Sequence, residues 1–318
     1  MTPNDLAVKV RDSNNLMMRA FTDTYGGGIF AGLYADRVRP EGYDRLSAFS
    51  TSARMEELIT EYNVGGLEST DLTINTKPYG KVVDIKVKTF NNARAIKGSD
   101  FENTFTDMGR EAAELVDALL TDILTTAPTD IFGSAFLTSG KVIPGGAYTL
   151  TNVLSGAGVT EDNVRADFYK MIYSRAGMVG ANGRLYFGPR AQGEKYIVMF
   201  PAALVGVMER VFNTEKQTGG ATNPTYGRAE LRMNPLLDAT STVDYYYFSA
   251  MPRRAPLIVV RATEGPKMQN DVDVNGAAMG MGFAPRNQQV AEVYTFSTHF
   301  EVDAAPGSGY EITKIDNT

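Results

Sequence analysis

Cysteine is absent from this 318-residue chain, and histidine occurs only once. Without cysteine the protein has no disulfides, no thiolate metal site and no cysteine nucleophile. No stretch approaches the roughly 20 apolar residues that span a bilayer, and the first residues, Met1–Asp5, lack the basic and apolar regions of a secretory signal. We therefore expect synthesis in the cytoplasm and no membrane partner. A chain of 318 residues is long enough for one large domain or two linked domains.

Positive charge is also in short supply. The chain has 31 Lys and Arg residues against 37 Asp and Glu residues, which gives a net charge of −6. Proteins that wrap nucleic acid directly neutralise phosphates with a basic surface. The composition therefore argues against tight, direct binding of nucleic acid.

Signals for catalysis or metal binding are few. The only histidine, His299, falls on the polar face of a predicted strand, and nothing marks a nucleophile or metal beside it. Asp271, Asp273 and Asn275 match the first half of a calcium loop, but Gly282 stands where the bidentate glutamate is required. An Asx-type turn is the alternative interpretation. We predict no enzyme, no cofactor and no metal beyond this weak calcium candidate.

A long amphipathic helix is predicted from Ser99 to about Thr126. Ser99 and Glu102 form the pattern of a capping box, and Ala127-Pro128 ends the helix. Its apolar face is formed by Phe101, Phe105, Met108, Ala112, Leu115, Leu119 and Ile123. Its acidic residues, Asp100, Asp107, Glu111, Glu114 and Asp122, lie away from this face. They form either a solvated surface or a surface that meets basic residues of a neighbouring chain.

The residues before this helix predict two less self-sufficient segments. Residues 1–46 are interpreted as an arm that contains a short helix and has little core of its own. Residues 47–98 are interpreted as a β-hairpin, with alternating apolar residues around Leu72 and Val83 and a type I turn at Lys77–Gly80. A lone hairpin is marginal in water, so it should pack on the long helix or on another subunit.

The residues after the long helix predict a mixed α/β unit. Residues 127–160 read as a loop region with short strands, and residues 161–178 as a helix. A second helix is expected to start at Pro189 and run to about Phe212, followed by a polar loop from Asn213 to Gly227. The expected strands that follow are Ala229–Met233, Val243–Phe248, Leu257–Val260 and Val290–Val302.

This order of elements resembles the Hong Kong 97 capsid fold of tailed-phage major capsid proteins. Within residues 180–262 the residue pattern is similar to the Mu-type major head subunit family. The segments that carry this resemblance are Pro201–Leu204, Asn223–Leu231, Asn234–Asp238, Tyr245–Phe248 and Pro256–Val260. Residues 127–160 depart from the pattern of that family.

The resemblance implies an α+β fold with five parts. They are an N-terminal arm (1–46), an extended loop (47–98), a peripheral domain with the spine helix (99–159), an axial domain (160–262) and returning strands of the peripheral domain (263–318). The implied function is a major capsid protein that assembles into pentamers and hexamers of an icosahedral phage head. Its location would be the virion, after assembly in the host cytoplasm.

The implied partners are other copies of the chain, scaffold, portal and cement proteins, and packaged double-stranded DNA bound without sequence specificity. The expected interface residues are Asp71, Leu72, Lys77, Pro78, Tyr79, Lys86, Glu111, Glu114, Thr218, Gly219 and Asn223. Two alternatives stay open: an encapsulin-type compartment shell, and a soluble calcium-binding or hydrolytic protein.

Overall fold

The computed structural model describes residues 3–51, 67–86, 92, 97–99, 101–130, 133, 135–142, 149–180, 185–217, 219–268 and 293–317. The helices are α1 (Pro3–Tyr25), α2 (Glu102–Thr126), α3 (Glu161–Ala176), α4 (Arg190–Gly193) and α5 (Val205–Phe212). Short 3₁₀ turns cover Ala202–Leu204, Pro235–Ala239 and Gly309–Glu311. No helix among these residues combines the length and the hydrophobicity needed to cross a membrane.

Fourteen strands are defined in this part of the chain. The first seven are β1 (Tyr34–Val38), β2 (Tyr43–Thr51), β3 (Leu67–Asn75), β4 (Lys77–Lys86), β5 (Lys141–Val142), β6 (Thr149–Leu150) and β7 (Val153–Ser155). The others are β8 (Tyr196–Phe200), β9 (Ala229–Met233), β10 (Tyr245–Ser249), β11 (Leu257–Arg261), β12 (Lys267–Met268), β13 (Val293–Pro306) and β14 (Ile312–Asp316).

Helix α2 is the predicted long helix, about 37 Å long at 1.5 Å per residue. It ends where expected, with Ala127 in the left-handed conformation (φ 44°). Its start differs from the predicted capping box, because Phe101 is the N-cap residue and the Glu102 carboxylate accepts a bond from the Gly98 N–H at 2.6 Å. Phe105, Met108 and Ile123 of the predicted apolar face are buried. Between them the buried residues are Ala113, Val116 and Leu120, each one position after the predicted Ala112, Leu115 and Leu119, which are partly buried.

Helix α1 packs along α2, and this overturns the interpretation of residues 1–46 as an arm with little core. Phe21, Phe30 and Leu33 are buried in one apolar cluster with Val116 and Leu120 of α2. Strand β1 then pairs in parallel with β11. The N-terminal segment is thus ordered by its own chain, because its apolar residues find partners on α2.

Sheet I comprises β1, β11, β13 and β12 in that order, with β4 also paired to β13. The β4–β13 ladder is antiparallel and runs over ten residue pairs, from Lys77↔Val302 to Lys86↔Val293. The predicted turn at Lys77–Gly80 is therefore wrong. A ten-residue ladder supplies many more backbone hydrogen bonds than one tight turn, so the local turn preference of Pro78 and Gly80 does not prevail.

Sheet II has the order β7-β14-β10-β8-β9, and its second strand is the last strand of the chain. One face of sheet II packs on α3 and α5 through Phe168, Met171 and Phe212. On the other face, Met199 and Phe248 pack in the apolar cluster that contains Val116 and Leu120 of α2, which we call the α2 cluster. The sequence predicts that the strands of residues 263–318 all return to one domain, but in the structure they are divided between the two sheets. Strand β13 lies in sheet I, and β14 completes sheet II.

The expected hairpin exists, but with a different partner. Strand β3 pairs with β2, from Tyr43↔Asn75 to Thr51↔Leu67, and not with β4. Within the described residues, this two-stranded sheet pairs with no further strand. The hairpin thus begins before residue 47, and the predicted boundary between arm and extended loop falls inside strand β2.

Candidate assembly surfaces

The base of the β2–β3 hairpin packs on sheet I. Leu46 and Ile74 are buried against Ile258, Val260 and Ala305 of sheet I. From this base the two strands continue for five further pairs, from Ser47↔Asp71 to Thr51↔Leu67. A two-stranded ribbon is marginally stable in water, so the outer half of this hairpin is a candidate surface for contact with another subunit.

Charged side chains fix the angle of the hairpin base. Asp44 accepts hydrogen bonds from Arg37 at 2.8 Å and from Arg39 at 2.9 Å. Burial by itself would raise the pKa of Asp44, but the bonds from Arg39 and Arg37 outweigh it and lower the pKa below its usual value. A backbone hydrogen bond also joins the two ends of the hairpin base, where the Thr76 N–H donates to the Gly42 carbonyl at 2.8 Å.

The predicted interface residues of the hairpin occupy different positions in this arrangement. Asp71 is exposed and pairs with Arg45, whereas Leu72 packs on the apolar cluster at the hairpin base. Pro78 and Tyr79 lie on β4 in sheet I, and Tyr79 packs on the α2 cluster. Lys86 is the last residue of β4 and pairs with Val293 through the backbone.

Two ion pairs hold β4 on the body. Lys81 lies 2.5 Å from Glu111 of α2, and Lys77 lies 3.4 Å from Asp303 of β13. Glu111 and Lys77 thus have partners in their own chain, while Glu114 is exposed on α2. Exposed pairs of this kind add little stability, so β4 is held mainly by its backbone ladder with β13.

The polar loop after α5, residues 213–227, folds back on itself, and we call it the finger. Lys216 and Thr222 form a β-bridge, and Gly219 is exposed near its tip. Asn223 is buried, and its amide donates to the carbonyls of Val211 at 2.8 Å and Thr214 at 2.7 Å. Asn223 therefore supports the loop and does not lie on its surface. Thr218 lies outside the described residues.

A buried arginine, which the sequence analysis missed, joins α3 to sheet II. Arg175 is fully buried and donates to the hydroxyls of Thr313 at 3.0 Å and Ser249 at 2.8 Å, and to the carbonyls of Tyr247 and Glu311. Burial lowers the pKa of Arg175, and nearby Tyr196 and Glu311 partly offset this. Its partners lie 72 to 138 positions away in the chain, so no local pattern marks it.

The chemical candidates do not form a catalytic or metal centre in the described part of the chain. His299 lies 2.9 Å from Glu301, its neighbour but one on β13, and both are partly exposed. No group of three or more His, Cys, Asp or Glu residues there is placed to hold a metal ion. Asp271, Asp273 and Asn275 of the calcium-loop candidate lie outside the described residues.

Comparison with known proteins identifies the fold. No protein-family profile matches the sequence, and no curated protein sequence matches it significantly. Solved structures do match. The capsid of the cyanophage P-SCSP1u has a TM-score of 0.57 at 11% identity, over 91% of this chain and 88% of that chain. The chain has the Hong Kong 97 capsid fold.

Two further structures give the same result. The capsid of a native GTA particle has a TM-score of 0.55 at 11% identity, over 91% of this chain and 89% of that chain. A virus-like particle from Pyrococcus furiosus has a TM-score of 0.53 at 10% identity, over 95% of this chain and 98% of that chain. The predicted fold class, an α+β capsid fold of the Hong Kong 97 type, is therefore confirmed.

Proposed function

We propose that this chain is the main structural subunit of an icosahedral phage head and that its copies join as pentamers and hexamers. The observation that carries this proposal is the extent of the likeness to capsid structures, which covers about nine-tenths of both chains in the cyanophage case. Head-to-tail contacts between identical subunits close into such rings. The proposed role is structural and not enzymatic, which the likeness to capsid structures supports.

The hairpin supports the same proposal from within the chain. Its base is anchored by Leu46 and Ile74, while the ladder continues for five pairs beyond this base and, among the described strands, pairs with no third strand. We assign this outer half, around Asp71, to contact with a neighbouring subunit. The finger at Gly219 is assigned to contacts around the fivefold and sixfold axes.

The division into parts follows from the same assignment. Sheet I with α1 and α2 would form the peripheral domain, and sheet II with α3 and α5 would form the axial domain. The boundaries at 46, 98, 159 and 262 stay predictions, with two changes that the topology suggests. The extended loop would begin near Tyr43, and the axial domain would also include β14.

A relationship to the Mu-type head subunits is the finer part of the proposal. It rests on the residue pattern of 180–262, and the structure offers one physical reason for part of that pattern. In the Asn-Pro segment, Asn234 accepts a bond from the Leu236 N–H at 3.1 Å and donates to Thr121 of α2 at 2.9 Å. This asparagine thus joins sheet II to the long helix.

The further partners are also part of the proposal. Assembly would take place in the host cytoplasm with scaffold, portal and cement proteins, and the mature location would be the virion. The net charge of −6 suits a wall around mobile, densely packed double-stranded DNA, because few phosphate contacts are then tight. Salt-sensitive, tight binding of DNA by isolated capsomers would contradict this point.

An encapsulin-type compartment shell is the second candidate. It is kept because one of the similar structures is described as a virus-like particle, and the likeness covers 98% of that chain. The two candidates share the fold and differ in content, which would be a cargo protein for the compartment and DNA for the phage head.

Electron microscopy of the expressed full-length protein, followed by a nucleic-acid assay of purified particles, tests both candidates. The proposal predicts closed icosahedral particles or rings of five and six subunits. Particles that consistently enclose a protein cargo and no nucleic acid in the native host would favour the compartment. A protein that stays monomeric up to high concentration, with or without scaffold, would contradict both.

A further inference from the structure

A surface corner at the junction of the two sheets presents apolar and basic side chains together. We define the basic corner as Leu185, Met251, Arg253 and Arg254. Leu185 is 57% exposed and Met251 is 79% exposed, and both arginines are exposed. Met and Arg are enriched in the centres of protein interfaces, whereas a large apolar side chain open to water on an isolated subunit contributes nothing to its stability.

The two loops that carry this corner are held rigidly from below. Buried Glu311 accepts a bond from the Tyr186 hydroxyl at 2.6 Å and another from the Arg253 N–H at 2.9 Å. Arg190 adds a second tie, because it donates to the Met251 carbonyl at 2.9 Å while pairing with Glu194. Arg253 also stacks over the Tyr186 ring, at 5.5 Å from its centre.

This buried network orders the corner before any partner arrives. Arg175 donates to the Glu311 carbonyl, so the same network continues into α3 and sheet II. Ordering loops in advance removes part of the entropy cost of association. A surface that is both exposed and pre-organised, with apolar anchors and positive charge, fits a partner that is acidic and has room for a methionine side chain.

The exposed face of α2 has these properties. Asp107, Glu111, Glu114 and Asp122 follow one another at steps of four, three and eight residues, which keeps them on one side of the helix. Exposed Ala118 lies between the last two and leaves space for a larger side chain. Among the described residues, Lys81 and Arg110 pair with Glu111 and Asp107, in the N-terminal part of this face.

We infer that the basic corner of one copy docks on the C-terminal half of the acidic α2 face, around Glu114 and Asp122, of a second copy. The argument is charge complementarity between two unlike surfaces of the same chain. Unlike, complementary surfaces make the head-to-tail contacts that close into rings. This inference rests on the proposed function and adds to it the surfaces that meet.

The test compares particle formation by the full-length protein and three variants. The double substitution Met251→Ser and Arg254→Glu removes the anchor and reverses the charge, while Arg253 is kept because it packs on Tyr186. We expect the yield of particles or rings to fall by about tenfold or more, as for loss of an interface hot spot. The thermal unfolding midpoint of the free subunit should stay unchanged, since both side chains are exposed.

The second variant adds Glu114→Lys and Asp122→Lys to the first. We expect it to restore part of the lost assembly, because the added lysines replace the charge contact with the glutamate introduced at position 254 but not the Met251 anchor. The control, Arg11→Glu with Arg19→Glu, changes charge on exposed arginines of α1 and should assemble like the parent. Normal assembly of the Met251/Arg254 variant would overturn the docking inference and leave the proposed function intact.

Failure of the added lysines to rescue assembly would overturn the assignment of α2 as the partner surface. Loss of assembly in the Arg11/Arg19 control would overturn it as well, because the effect would then be general to charge. If the parent protein itself forms no rings or particles, the proposed function fails first, and the inference fails with it.

Discussion

Sheet II and the β2–β3 hairpin are both β structures of one chain, but they obtain their partners differently. An apolar cluster packs on each face of sheet II, and its interior strand β14 lies near the C-terminal end of the given sequence. The hairpin has one anchored end and, within the described residues, no third strand. Sheet II is thus completed by strands of its own chain, whereas no third strand in the described part of the chain completes the hairpin, whose outer half we assign to contact with another copy.

The largest expected effect comes from removing the strand that completes sheet II. Deletion of residues 312–318 removes the fully buried Ile312 and Ile315 and takes Thr313 away from Arg175. It also leaves β7 and β10 without the strand between them. We expect sheet II not to form, so that the protein loses its cooperative thermal transition or becomes insoluble.

Circular dichroism melting and limited proteolysis measure this loss, with a chain lacking only Thr318 as the control. A cooperative transition at the parent temperature in the 312–318 deletion would show that sheet II does not depend on its interior strand. The contrast with the hairpin would then disappear.

The next effect concerns the helix pair that replaced the expected arm. Gly109 lies where α1 crosses α2, and a Cβ atom there would collide with the carbonyl oxygen of Met17. We expect Gly109→Ala to destabilise the fold by about 1–3 kcal/mol through overpacking. The matched control is Gly206→Ala in α5, where a Cβ meets open space and the higher helix propensity of alanine should stabilise by up to about 1 kcal/mol.

Denaturant unfolding of both variants gives the two free energies of unfolding. Equal effects at Gly109 and Gly206 would mean that α1 does not pack on α2 in solution. The N-terminal segment would then behave as the arm that the sequence first indicated.

The long helix could be predicted because its signal is local. An apolar repeat of three and four residues, followed by Ala127-Pro128, specifies a helix whatever surrounds it. The pairing of strands depends on distant residues. The Lys77–Gly80 segment has good turn residues, yet it is a strand because β13, more than 200 positions away, pairs with all ten residues of β4. Local chemistry could not indicate that partner.

Tyr196–Phe200 shows the same limit for an apolar run. The residues from Pro189 to Phe212 were expected to form one helix, because a continuous apolar run does not distinguish a buried helix from a strand buried on both faces. In the structure this run contains strand β8, with Tyr196 and Val198 in one core cluster and Ile197 and Met199 in the other. Having two cores, one on each side, is what selects the strand.

The candidate assembly surfaces could also be predicted only in part from the sequence. The resemblance assigns residues 47–98 to an extended loop, but it does not indicate that β3 pairs with β2. The assignment of the loop around Gly219 to assembly contacts stays a prediction. The basic corner and the network of Arg175 and Glu311 beneath it could not be predicted, because the network joins residues 58 to 138 positions apart.

A smaller effect is expected at the hairpin base. The lowered pKa of Asp44 means that its ionised form stabilises the folded state above the unfolded pKa of about 3.8. This contribution is lost as the pH falls through the lower folded pKa. Asp44→Asn should therefore lower the melting temperature at pH 7, and the difference from the parent should shrink below about pH 4.

The control for this prediction is Asp71→Asn, which breaks the more exposed pair with Arg45 further along the hairpin. Exposed ion pairs contribute little, so its melting temperature should stay near that of the parent at every pH. A constant difference between Asp44→Asn and the parent from pH 7 to pH 3 would argue against ionic anchoring of the hairpin base.

Shortening the hairpin should have the smallest effect on the stability of the folded subunit. Its effect on particle assembly, in contrast, should be large. Residues 48–70 can be replaced by an Asn-Gly turn between the opposed residues Ser47 and Asp71, which keeps Leu46 and Ile74 in the base. We expect the unfolding free energy to change by less than about 1 kcal/mol, since the removed ribbon is marginal by itself. Particle formation, followed by electron microscopy, should be lost because neighbouring subunits no longer share this surface. Normal particles from the shortened protein would show that the hairpin serves its own chain only, whereas a large loss of stability would show that its outer half packs on the body after all.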